Sequence, residues 1–127
     1  MKKSIIIGSL LAGSAVLLGA LNAHTFKKYF DAGTLQSFDT GVRYQMYHAL
    51  AILIFGAMST YLGRKNSNVI ISLFTVGTLL FSGSIYILCA FKSNGIIGLK
   101  GLGALTPIGG LVQISAWIYA IVSAIRK

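Results

Sequence analysis

NSNVIISLFTVGTLLFSGSIYILCAF, residues 66–91, carries no formal charge from end to end. A helix rises about 1.5 Å per residue, so about 20 apolar residues cross a hydrocarbon core, and this stretch is long enough. Three further stretches share the property, at positions 4–26, 44–63 and 101–125. The charges fall between them, at Lys2 and Lys3, from Lys27 to Arg43, at Arg64 and Lys65, at Lys92 and Lys100, and at Arg126 and Lys127. Four strands cannot close a barrel, and an open sheet edge in lipid would leave its backbone groups unpaired, so the stretches read as helices. The expectation is an all-α membrane protein of one domain, residues 1–127, built as a four-transmembrane-helix bundle. Its spans are expected near residues 4–26, 44–63, 66–91 and 105–125.

The composition agrees. Of 127 residues, 55% are hydrophobic, and 11 Lys and Arg against two acids leave a net charge of +9. A nucleic-acid binder gathers its cations on one folded face, whereas here they bracket the spans as anchors at lipid headgroups. The expected partner is therefore the bilayer and not nucleic acid. The single cysteine, Cys89, excludes an internal disulfide framework. Lys2 and Lys3 followed by an apolar run and Ala20-Leu21-Asn22-Ala23 have the look of a signal peptide. The run exceeds the usual length of one, however, and the first span is expected to be retained. Four crossings put both termini on one side with the short connection at residues 63–68. That side carries six Lys and Arg against five opposite, which places the termini in the cytoplasm.

The connection at residues 25–43 is amphipathic. Phe26, Tyr29 and Phe30 form one helical cluster and Leu35, Phe38 and Val42 another, with Lys27, Lys28, Asp31 and Asp39 interleaved. It is read as an interfacial segment between helices 1 and 2. Thr34 is a candidate cap for a helix that runs through Gln36 into the second span, with Asp39 and Arg43 pairing at i,i+4. In the second long connection Gly95, Gly98, Gly101 and Gly103 suit a turned segment. Thr106 and Pro107 then read as a helix start, threonine as cap and proline in the first turn, followed by Gly109 and Gly110.

Lipid offers no hydrophobic drive for helices to associate, so close approach of small residues must supply the contact. Gly8, Ala12, Ala15, Gly19 and Asn22 make such a seam on the first span. Gln45, Ala49, Ile52, Gly56 and Ser59 make one on the second, and Gln113, Ala116, Ala120 and Ala124 one on the fourth.

No Asp, Glu, Lys or Arg lies inside the spans. That removes proton-coupled export through an intramembrane carboxylate, and catalysis by paired carboxylates. What remains is a polar set that alternating span direction gathers toward the two long connections: His24, Gln45, His48, Ser82, Ser84, Tyr86 and Gln113. Asn22 and His24, two apart, point to opposite sides of a helix, so only one of them faces the core. Three uses compete for the set. It can be an inter-helix hydrogen-bond network that fixes register. It can be a site for a small ligand, lipid headgroup or permeating species. A metal site from His24, His48 and Cys89 has suitable ligand types but no local spacing motif, and no metal or cofactor is expected.

The motifs resemble a known family. Gly19-Ala20-Leu21-Asn22-Ala23-His24, Tyr44-Gln45-Met46-Tyr47-His48-Ala49-Leu50-Ala51, Phe81-Ser82-Gly83-Ser84-Ile85-Tyr86 and Thr106-Pro107-Ile108-Gly109-Gly110 occur in order, one per span. They are similar to the corresponding stretches of the YgdD-like small membrane proteins, a domain of unknown function numbered 423. Leu21-Asn22 departs from that family's Phe-Gly, the connection after Lys92 is longer, and Cys89 is not part of the pattern. The resemblance implies a four-helix protein of the bacterial inner membrane and supplies no activity. The function expected is a non-enzymatic accessory or assembly component, as a homo-oligomer or a subunit of a membrane complex. The alternative is a small oligomeric channel or transporter whose polar site is formed by Gln45 and His48. An enzyme with His48 as base and Tyr86 or Ser84 as its partner comes third, since no sequence spacing brings those residues together.

Overall fold

A computed structural model describes residues 1–95 and 100–127. Among them the chain is helical throughout. Helix α1 is Lys2–His24, a 3-10 turn follows at Phe26–Lys28, α2 is Ala32–Ala57, α3 is the single turn Ser59–Leu62, α4 is Arg64–Ser93 and α5 is Lys100–Ile125. Helices α1, α4 and α5 are each long and apolar enough to cross a membrane. Helix α2 has the length, 26 residues, but carries Asp39 and Arg43 within it.

The long helices pack in chain order, α1 on α2, α2 on α4 and α4 on α5. Successive helices run antiparallel. Ser4 at the start of α1 sits against Gly56 at the end of α2, while Asn22 at the end of α1 reaches Leu35 near the start of α2. Small residues permit each approach. A side-chain carbon at Gly8 would stand 3.1 Å from the Ala49 carbonyl oxygen, and one at Gly77 would stand 3.0 Å from the Gln113 nitrogen. At Gly109 an added carbon would strike the backbone of Phe81, so α4 and α5 meet backbone to backbone there. Two apolar cores result. One gathers Ile52, Leu62, Ile70, Phe74 and Ala116 toward the termini, and the other gathers Ala15, Phe38, Val42 and Cys89 toward the long connections.

Four expectations need correction. The described part of helix α5 runs from Lys100, so Thr106 and Pro107 lie inside it and do not start it. Gly101 and Gly103 are helical too, whereas Gly95 takes a positive φ of 76° and Gly98 lies outside the described residues. Helix closes each peptide hydrogen bond within its own segment, which outweighs glycine's preference for turns where water is scarce. At the start of α2 the cap is Asp31, whose Oδ1 accepts from the Thr34 nitrogen at 2.7 Å, and Thr34 is buried in the first turn. The helix expected to run through Gln36 into the second span does so. From Ala32 onward the amphipathic segment is the beginning of α2, and Phe26 and Phe30 fold onto Phe38 with ring centroids 5.1 and 5.9 Å away. On α5 the packed seam is Gly109, Gln113, Ala116, Ala120 and Ser123, while Ala124 faces outward.

Candidate functional site

Because α2 starts at Ala32, Gln45 and His48 fall near its middle and not in its first turns. Both face inward. Gln45 is the junction of three helices. Its Nε2 donates to the Leu11 carbonyl and to Ser14 Oγ of α1, each at 2.8 Å, and its Oε1 accepts the Tyr86 hydroxyl of α4 at 2.7 Å. Two amide hydrogens and the amide oxygen are all engaged, as burial in an apolar layer requires.

His48 is also fully engaged. Its Nδ1 lies 2.7 Å from the Tyr44 carbonyl oxygen, which can only accept, so Nδ1 carries the proton. Its Nε2 is then the acceptor for the Trp117 indole N–H at 3.4 Å. Phe74 and Tyr44 pack on the imidazole with centroids 5.3 and 6.2 Å away, so the ring closes the gap between α2 and α5 over α4. A histidine with one nitrogen donating and the other accepting is a strut. Both ring nitrogens of His48 face partners within the protein.

The remaining candidates divide among separate contacts. Ser82 Oγ donates to the Gly41 carbonyl oxygen at 2.7 Å and ties α4 to α2. Ser84 Oγ donates to the Phe81 carbonyl oxygen at 2.9 Å, which leaves its oxygen to accept from the Thr106 hydroxyl of α5. Gln113 Nε2 donates to Thr78 Oγ1 at 3.4 Å. Thr106 thus serves as a bridge, and Gly109 as the close approach, in place of the helix start expected for them. His24 is exposed at the end of α1, because Asn22 takes the inward position and donates from Nδ2 to the Leu35 carbonyl oxygen at 3.1 Å. His24 therefore does not join the cluster. Asn22 Oδ1 is buried without a partner among the described residues.

Sequence reading missed several members. Ser14 escaped notice because a serine in an apolar helix bonds its own backbone as readily as a neighbour, and this one does both, donating to Leu11. At the termini end Ser67 Oγ donates to the Phe55 carbonyl oxygen at 2.6 Å, and the Tyr119 hydroxyl donates to Asn66 Oδ1 at 3.1 Å. Polar contacts therefore extend along the helices and are not gathered at one end. The periodic burial of small polar residues was the available signal for these contacts.

A cleft of about 190 Å³ opens between the first turns of α2 and the last turns of α4, lined by Thr34, Ser37, Ile85, Leu88, Cys89 and Lys92. At its rim Lys92 Nζ stands 3.7 Å from Asp31 Oδ2. Asp31 is held below its ordinary pKa by the hydrogen bonds from Thr34 and, after them, by the charge of Lys92. Among the described residues no three His, Cys, Asp or Glu side chains converge.

Known proteins are similar to this chain in sequence. Residues 18–110 match the profile of the family described as "Protein of unknown function (DUF423)". The UPF0382 membrane protein YwdK of Bacillus subtilis (strain 168) is 38% identical over 127 residues, covering 99% of this chain and 98% of the relative. The UPF0382 membrane protein SH2409 of Staphylococcus haemolyticus (strain JCSC1435) is 36% identical over 128 residues, with 99% and 98% covered. No solved structure matches. These are relatives along the full length, and they carry the word membrane in their names, so this chain belongs to the DUF423 family of small membrane proteins of unknown function.

Proposed function

We propose that the chain crosses the bacterial inner (plasma) membrane four times, with its termini in the cytoplasm. There it acts without catalysis, as an accessory or assembly component of the membrane. The observation that carries this reading is the complete engagement of Gln45, which spends its whole amide on holding α1, α2 and α4 together. Enzymes and transporters need polar groups left open to their substrates. The Tyr86 and Ser84 hydroxyls are given to Gln45 and Phe81, and both nitrogens of His48 are occupied. Support for the fourth crossing comes from packing. Helix α2 lies antiparallel between α1 and α4, both of which are apolar enough to cross, and a helix flanked in this way runs through the same layer. The orientation rests on the excess of Lys and Arg at the termini side.

Liposome reconstitution tests this reading. The purified chain is expected to leave proton and potassium permeability unchanged, and His48→Ala is expected to lower its unfolding temperature without altering either flux. A solute flux that the native chain carries and His48→Ala abolishes would overturn it and favour the channel or transporter.

A further inference from the structure

Three helices present only apolar side chains to the outside at the height where α2 does not. Gly19 of α1 lies against Val42, and Ser82 of α4 bonds to Gly41, so the Arg43 backbone stands level with the interior of both neighbours. Counted along those helices at about 1.5 Å per residue, this level is roughly 8 Å inside His24 and roughly 15 Å inside Lys92. Around it α1 exposes Val16 and Leu17, α4 exposes Leu79 and Ile87, and α5 exposes Ile108 and Leu111. Helix α2 exposes Gln36, Asp39, Arg43 and Tyr47, which share its outer face. Arg43 Nε pairs with Asp39 Oδ2 at 3.0 Å, and both side chains are more than half exposed.

An ion pair at this depth is costly against lipid and stable against protein. From this and from the four-crossing reading, on which it rests, we infer that the outer face of α2 is the interface with a second copy of this chain. Copies inserted in one orientation are related by a two-fold axis along the membrane normal, so their α2 helices run parallel with equal residues at equal heights. An arginine side chain leans toward the N-terminal end of its helix and so reaches the height of Asp39 one turn away. It can do so in its own helix or in the facing one. The pair is thus self-complementary, Arg43 of each copy with Asp39 of the other, and Tyr47 below it closes the contact.

The test uses the full chain in native membranes, with Cys89 replaced by serine and single cysteines introduced for oxidative cross-linking. Tyr47→Cys is expected to form covalent dimers at least tenfold faster than Leu17→Cys on α1 or Leu111→Cys on α5. Adding Asp39→Lys to one chain and Arg43→Glu to another should abolish cross-linking of each alone, and mixing the two should restore it. An ion pair confined to one helix cannot produce that rescue. Equal rates on all faces, cross-linking only to a different protein, or no rescue on mixing would overturn the inference. Leu50→Cys with a membrane-impermeant maleimide separates the failures: shielding of Leu50→Cys keeps the fourth crossing even if the dimer falls, and labelling removes both.

Discussion

The Tyr86 hydroxyl of α4 donates to Gln45 Oε1 of α2 at 2.7 Å, on the opposite side of an amide whose nitrogen is bound to α1. One side chain therefore couples two helix interfaces. Gln45→Leu and Tyr86→Phe are expected to be non-additive by about 0.6 kcal/mol, and at most about 1.7 kcal/mol, the span measured for polar contacts between membrane helices. A double-mutant cycle on unfolding by SDS in mixed micelles measures this. Additive losses would show that the contact contributes nothing to the fold.

Gly109 and Gly110 are adjacent in sequence and unequal in place. An added methyl at Gly109 would meet the Phe81 backbone, which cannot rotate away, whereas at Gly110 it would stand 3.6 Å from the Phe81 ring in ordinary contact. Gly109→Ala is expected to cost about 1–3 kcal/mol through overpacking, with Gly110→Ala near neutral. Equal effects in the same SDS titration would mean that α4 and α5 do not approach as described.

His48 holds its proton on Nδ1 because the Tyr44 carbonyl can only accept, and its Nε2 faces the Trp117 indole. Nitrogen NMR of the labelled protein near neutral pH is expected to show a neutral imidazole in the Nδ1–H tautomer. Trp117→Phe should perturb the Nε2 resonance strongly and Nδ1 little. A resonance pattern with the proton on Nε2 would contradict the geometry.

Acid should loosen the start of α2. The folded pKa of Asp31 lies below its ordinary value, chiefly through Thr34 and secondarily through Lys92. A depressed carboxylate contributes stability that is fully present above its unfolded pKa and is lost as pH falls through the lower folded value. The thermal midpoint of the native protein is therefore expected to fall as pH drops below about 4, the unfolded carboxylate range. In Asp31→Ala the midpoint is expected to start lower at neutral pH and to fall less. A parallel decline in both proteins would assign the acid loss to other groups.

Much of this protein was legible in its residues, for identifiable reasons. Charge is so expensive in lipid that the absence of it over residues 4–26, 66–91 and 101–125 marks helices without any knowledge of their neighbours. Small residues at steps of three and four mark the packed face for the same reason, since only they let backbones touch; Gly8, Ala15 and Asn22 do lie inward on α1. The i,i+4 pairing of Asp39 with Arg43 follows from helical geometry alone.

Other features depended on contacts between distant parts of the chain. A helix running through Gln36 into the second span was legible, but what seats it on α4 was not: Phe38 and Gly41 meet Tyr86, and Ser82 bonds the Gly41 carbonyl. Thr106 and Pro107 carry the local signature of a helix start and lie inside a helix, where Thr106 bridges to Ser84. The choice between Asn22 and His24 was settled by the Leu35 carbonyl oxygen. Local chemistry determines which segments are greasy helices and which of their faces are small. Which hydroxyl, amide or imidazole meets which acceptor depends on how four antiparallel helices slide and rotate against one another, and that register exists only once they have packed.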